Sequence, residues 1–370
     1  MTAGARQRQR GRPFGAVARM LLPLVLALSV LVLFGMVWQS VGEQSDFAKL
    51  ERDGVRYIQA LGPLEIALTD AESAAVNGGT PPEPLTRVVD AVALVDSQLS
   101  DRLGTQDRWA GLRTKIESLP AGGNDATVIA AYGGATDLLL ALIDRVRNNS
   151  KLIRDPQADI YYLEDGAAQE LPEGIVAAAR YTDLLVSLTG LTGAARSSAL
   201  VDISSAGNDL ASNARDLSDD VRLAVEGTGS RSLGGALLSK LDRFNRSIDT
   251  LVPLMSPVLA GTGGIDSAQV VRGRDEMQAA AADLSAALLA QIDIALSDQL
   301  SSLNQRRLLA LATLVVPALL ALAPLGKALA ARRRRTPPPP PAVIRRPAEP
   351  VAQHASEPEY AQWERFSVPK

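Results

Sequence analysis

The chain has no cysteine and a single histidine in 370 residues. Without cysteine there can be no disulfide framework, thiolate metal centre, iron–sulfur ligation or thiol nucleophile. One histidine leaves no Ser/His/Asp relay and no multi-histidine metal site. That residue, His354, lies in a proline-rich stretch where neither a catalytic base nor a phosphoaccepting helix is built. No Gly-rich phosphate loop follows a strand pattern, and the acidic residues, Asp219-Asp220 included, lack calcium-loop spacing. We therefore expect no enzyme, no metal site and no cofactor.

Charge is missing altogether from two stretches, Met20 to Trp38 and Leu308 to Gly326, each 19 residues long. As helices they would cover roughly 28 Å of a ~30 Å hydrocarbon core, so each is expected to span a membrane. A secretory signal is the rival reading of the first, given the basic residues Arg6, Arg8, Arg10, Arg12 and Arg19. The apolar run is long for a signal, and Val37 to Gly42 has no small-x-small cleavage site, so an uncleaved anchor is expected. Basic residues flank both stretches on the outer sides, with Lys327 and Arg332 to Arg335 after the second. By the positive-inside rule both termini are cytoplasmic and the segment between is extracytoplasmic, in a multi-pass protein of the cell membrane.

The near-neutral formal charge of −3 conceals a partition. Residues 39–305 hold 22 basic against 37 acidic side chains, a formal charge of −15. That sign argues against nucleic acid as a partner, because phosphate binding needs the opposite one. Five regions follow: a basic N-terminus (1–19), a first span (20–38), an extracytoplasmic helical bundle (39–305), a second span (308–326) and a basic, proline-rich tail (327–370). Residues 326–335 also suit contact with anionic lipid. Pro337 to Pro341 and the later prolines favour an extended tail, ending in an aromatic cluster at Tyr360, Trp363 and Phe366.

Residues 39–305 are dominated by helical periodicity. Leu200, Ile203, Gly207, Leu210, Ala214, Leu217, Val221 and Ala224 alternate steps of three and four, as do Leu237, Leu241, Phe244, Ile248, Leu251, Met255 and Val258. Shorter seams run from Leu85 to Leu99 and from Ala131 to Val146, and Met277 to Leu303 carries a long stripe. No period-two alternation is sustained. The expected fold is all-α: a membrane-anchored antiparallel helical bundle, one tall or two stacked four-helix layers, continuous with two transmembrane helices. Breakers divide it into seven helices, with boundaries near 77, 84–119, 125–154, 159–188, 195–226, 230–257 and 266 onward. Pro63, Pro172 and Pro253 fall inside apolar patterns, either as tolerated bends or as hinges and ligand notches.

One string is more specific. Leu152-Ile153-Arg154-Asp155-Pro156-Gln157-Ala158-Asp159-Ile160-Tyr161-Tyr162-Leu163-Glu164-Asp165, followed by Glu170-Leu171-Pro172-Glu173, resembles the extracytoplasmic sensor region of methyl-accepting chemotaxis receptors and related sensor kinases. There an Asp-Pro-Asp-x-Asp-Ser-Tyr-Tyr-Leu-Met-Asp run precedes Leu-Pro. Here Gln157, Ile160 and Glu164 replace the second acid, the small hydroxyl residue and the methionine. No methylation helices or kinase core follow the second span. The resemblance implies a sensor-type ectodomain that dimerises and signals through a separate cytoplasmic protein.

Read physically, Asp155-Pro156 stops one helix and Asp159 caps the next. Tyr161, Tyr162, Asp155 and Asp159 then either cap and pack a helix junction or line a polar notch for a small ligand. Arg52 and Arg56, four apart on a helix, are either a solvated face or bidentate donors to a small anion. The expected function is a two-span membrane sensor detecting a small ligand or a partner. The alternative is a scaffolding stalk that oligomerises and recruits partners with its proline-rich tail.

Overall fold

A computed structural model describes residues 14–77, 79–81, 83–120, 126–154, 158–227 and 231–333. The basic residues before 14, the tail from 334 with His354 and its aromatic cluster, and Asp155 lie outside the described residues. The elements are α1 (Phe14–Asn77), α2 (Leu85–Leu103), α3 (Gln106–Glu117), α4 (Ala126–Ser150), α5 (Ala158–Asp165), α6 (Leu171–Ser187), α7 (Gly193–Gly227), α8 (Arg231–Leu251), α9 (Ser256–Leu259) and α10 (Ser267–Arg333). No strand occurs among the described residues, so the chain is all-α.

By packing, the chain divides at Val315. The unit up to Val315 holds the bundle. In the unit beyond it, residues 316–333 continue as helix.

Several boundaries differ from the periodicity for identifiable reasons. The helix expected over 84–119 is two. Gly104 sits in the left-handed region (φ 61°) and its N–H bonds back to Ser100 at 2.7 Å, closing α2 before α3 begins. The next helix stops at Ser150 rather than Arg154, because Lys151 takes a left-handed conformation (φ 66°). The helix expected over 159–188 is present, but a π turn, Gly166–Glu170, divides α5 from α6. A proline inside an α-helix lacks a donor and clashes with the carbonyl four residues back. The wider turn places Pro172 in the first turn of α6, where both problems ease. Pro253 falls in a 3₁₀ turn, Val252–Met255, that ends α8.

The seams face inward as their spacing requires. Ile203, Leu210, Leu217 and Val221 on α7, Leu237, Phe244 and Leu251 on α8, and Met277, Leu284, Leu288 and Ile292 on α10 are all buried. They belong to one continuous apolar core that extends from Ala48 to Leu296. Each such side chain contributes roughly 1.5–3 kcal/mol through burial. Polar pins fix the register of the helices. Tyr57 Oη and Thr105 Oγ1 both donate to Asp96 Oδ1 at 2.7 Å, and Tyr181 Oη donates to the Val252 carbonyl at 2.6 Å.

Within the unit up to Val315, α1 and α10 lie side by side between residues 38–70 and 274–307. Arg307 lies over the Trp38 ring at 5.6 Å, Arg52 pairs with Asp293, Thr69 accepts from Gln278, and Arg274 pairs with Asp70 at 3.6 Å. As numbering rises along α1 it falls along α10. At about 1.5 Å per residue α1 is roughly 100 Å long.

Two helices among the described residues are long and apolar enough to cross a membrane, over 127–150 in α4 and 267–315 in α10. The first lies against α1 and α3 with Leu139, Leu142, Ile143 and Val146 buried, as a core helix does. In the second, Leu308, Leu309, Leu311 and Val315 are exposed. On α1, the described side chains of the expected first span are exposed likewise: Leu28, Val30 to Leu33, and Met36 to Trp38.

Candidate functional site

The residues singled out by sequence do not converge on one place. Asp159 opens α5 and lines a surface cleft of about 920 Å³ with Glu43, Arg154, Asp298 and Arg306. Next to it, Ile160 and Leu163 are buried, which leaves Tyr161 and Tyr162 half-buried at the sides of α5. The two rings meet edge-on at 5.3 Å. Tyr162 packs on the core, whereas Tyr161 faces Asp165, whose charge raises the phenol above its ordinary range. Arg52 forms a two-pronged bond to Asp293, at 2.6 and 3.2 Å, and Arg56 donates to Gln98 at 2.5 Å. Both guanidinium groups thus tie helices together within the bundle.

A second enclosure lies deeper, where α1 meets α4, α6 and α10. Its volume is about 440 Å³, within the ~300–1,000 Å³ typical of small-molecule sites. Ile58, Ala67, Ile143, Leu171, Ile175 and Leu289 form apolar walls and are buried. Both of the helix-interior prolines noted on these elements reach it: Pro63 at its rim on α1, and buried Pro172 where α6 begins, with Ala167 of the π turn beside it. Pro63 has no N–H for the carbonyl of Gln59, which lines the same cavity.

The one feature at odds with those walls is Glu65. It is 1% exposed, and its Oε1 has no hydrogen-bond partner among the described residues. Burial alone pushes its carboxyl well above the ordinary glutamate range. Asp70 and Glu83 also line the cavity, but each has a counter-ion: Arg274 at 3.6 Å and Arg87 at 2.7 Å.

Other carboxylates are perturbed nearby. Asp183 accepts from Ser73 at 2.7 Å, and burial raises it to about 6. Glu72 is raised to about 8, by burial first and by the charge of Asp183 second. Asp165, Glu170 and Asp220 bring oxygens within 4.8 Å of one another. Burial first, and then the charge of neighbouring acids, Glu173 ahead of Asp165 for Glu170 and Asp165 for Asp220, lifts the two to about 7 each.

Glu65 was missed by the sequence reading, although a signal was present. It falls four residues after Leu61 and three before Leu68, on the stripe that also carries Ile58. An acid in that register has to be buried. What the spacing could not provide was whether a partner would reach it.

Comparison with protein-family models, with curated proteins and with solved structures gives no match for this chain.

Proposed function

We propose that this chain is a two-span sensor of the cell membrane, a membrane-anchored antiparallel bundle with both termini cytoplasmic and residues 39–305 outside. A small molecule taken up in the α1/α4/α6/α10 cavity would displace α1 against α10. A separate cytoplasmic partner would receive that motion.

The observation that carries this reading is continuity. α1 runs unbroken from the exposed apolar stretch at 28–38 to the cavity wall at 58–70, and α10 from its exposed stretch at 308–315 to the wall at 282–289. Whatever moves the cavity walls therefore moves the apolar stretches, with no loop between to absorb it. Small sliding of packed helices is a common switching motion. Aromatic and basic residues border these stretches as in interfacial belts: Trp38 stacks on Phe34, at 5.6 Å between ring centres, and lies under Arg307.

The native absence of cysteine makes the test clean. Val37 and Ala310 line one groove between α1 and α10. Crosslinking of a Val37→Cys/Ala310→Cys protein in membranes is expected to change when a ligand occupies the cavity. A ligand that binds the cavity and leaves crosslinking at this and neighbouring pairs unaltered would remove the signalling proposal. It would favour the scaffolding stalk instead.

A further inference from the structure

We propose that the cavity accepts a small apolar organic cation, with its ammonium group against Glu65 and its hydrocarbon part along the α4 and α6 walls. This rests on the reading of the cavity as the sensor's ligand site, and adds the chemical class.

Three charged side chains line the cavity, and all three are acids. On α1 these are Glu65 and Asp70, and before α2 there is Glu83; α4, the π turn, α6 and α10 contribute no charged side chain to the lining, and Arg274, which pairs with Asp70, lies outside it. No lysine or arginine lines it. A carboxylate or phosphate ligand would bring a negative charge into a lining that holds three acids and no cation, in surroundings where unpaired charge is expensive. Arg52 and Arg56, the guanidinium groups that could serve an anion, are held by Asp293 and Gln98 and lie outside the lining.

An ammonium group supplies what is missing. Its N–H donors would meet Glu65 Oε1, which has no partner, and the Gln59 carbonyl, to which Pro63 cannot donate. The remaining walls offer apolar surface for a compact hydrocarbon group, with the Ser285 hydroxyl nearby. The formal charge of −15 on residues 39–305 attracts cations toward the bundle. Burial favours the neutral acid of Glu65. A bound cation favours the carboxylate, so uptake is coupled to proton release and tightens as pH rises.

The test uses the full chain in neutral detergent micelles and three probes of one carbon skeleton: cyclohexylmethylamine, the corresponding alcohol and the corresponding carboxylic acid. Calorimetric titration should find the amine bound about tenfold or more tighter than the alcohol, as a charge-assisted hydrogen bond implies. The acid should bind weakest, and proton release should show in buffers of different ionisation enthalpy. Glu65→Gln should abolish the amine's advantage while leaving alcohol binding in place. An amine bound no better than the alcohol, or unaffected by Glu65→Gln, would overturn the assignment. Should that variant fail to fold, Ala282→Leu, which narrows the cavity from α10, must abolish amine uptake, and retained uptake overturns the assignment equally. Crosslinking at Val37→Cys/Ala310→Cys separates the two proposals. If the alcohol or acid alters it and the amine does not bind, the cation is wrong and sensing survives. If the amine binds and crosslinking does not move, the reverse holds.

Discussion

Replacing Glu65 by methionine should make the protein more stable, which is the opposite of what most core substitutions do. Methionine has nearly the same length and fills the same space along α1, but it has no polar oxygen to strip of water. In the native protein Oε1 is buried without a hydrogen-bond partner, and no cation stands beside the carboxyl. An unsatisfied buried polar group costs about 1–3 kcal/mol. For a chain of this size such a gain corresponds to a rise of roughly 1–5 °C in melting temperature.

The pH dependence sharpens the test. The folded-state pKa of Glu65 is raised above its ordinary value of 4.5. Its neutral form therefore contributes fully below about pH 4.5, and that contribution is lost as pH climbs toward the folded value. Glu72, Asp183, Glu170 and Asp220, raised to about 8, 6, 7 and 7, shift stability in the same direction, but they do so in both proteins. Their effect largely cancels in the difference. Melting of the full chain in neutral micelles, followed by far-ultraviolet circular dichroism, should show Glu65→Met above the native protein at pH 8, with the gap narrowing toward pH 4.5. A variant less stable than the native chain at pH 8, or a gap independent of pH, would refute the reasoning. It would mean that Glu65 is held by a partner.

Two further substitutions test the packing around the site. In Gly54→Ala the added methyl would overlap the buried Ser150 side chain where α1 meets α4, and Leu152 lies 3.0 Å away; the melting temperature should fall by the equivalent of about 1–3 kcal/mol, and Ser150→Gly in the same chain should recover part of it. Tyr57→Phe removes one of the two donors to buried Asp96, and the denaturation midpoint should fall at constant slope by the equivalent of about 1.5–3 kcal/mol; an unchanged midpoint would show that the Tyr57–Asp96–Thr105 junction does not pin α1 to α2.

The helices and their inward faces were legible because spacing alone determines them. The α7 seam from Leu200 to Ala224 needed only the 3.6-residue period to be placed on the core. Breaks were legible where glycine or proline clusters mark them, as at the end of α1, and less so where one residue decides. Gly104 splits a helix that otherwise reads as continuous, and Lys151 ends another with no glycine to announce it. The π turn at 166–170 carries no sequence period of its own, and only Pro172 hinted at it. The site was harder still. Asp159 and the two tyrosines follow one another in sequence, yet the fold sends Asp159 to a surface cleft and leaves the tyrosines flanking α5. The cavity is assembled from helices more than 200 residues apart, and no local string encodes it.

Buried acids are found elsewhere in the bundle too, Glu51 on α1, Glu164 on α5 and Asp183 on α6 among them, so an acid alone does not set the cavity apart. At the cavity three departures coincide: an acid on the apolar stripe, a proline in the middle of α1, and a π turn that admits a second proline on α6. Each is unfavourable for a helix that serves only as a spacer. A stalk would lose nothing by carrying methionine at 65 and alanine at 63, and would be more stable for it. Their convergence on one enclosure, in the walls of the two helices that carry the exposed apolar stretches, is the arrangement expected where stability has been given up for binding and for movement. On the proposed reading, the two helix irregularities, Pro63 on α1 and the π turn between α5 and α6, would stand against the ligand, and the continuous helices α1 and α10 would carry the displacement away.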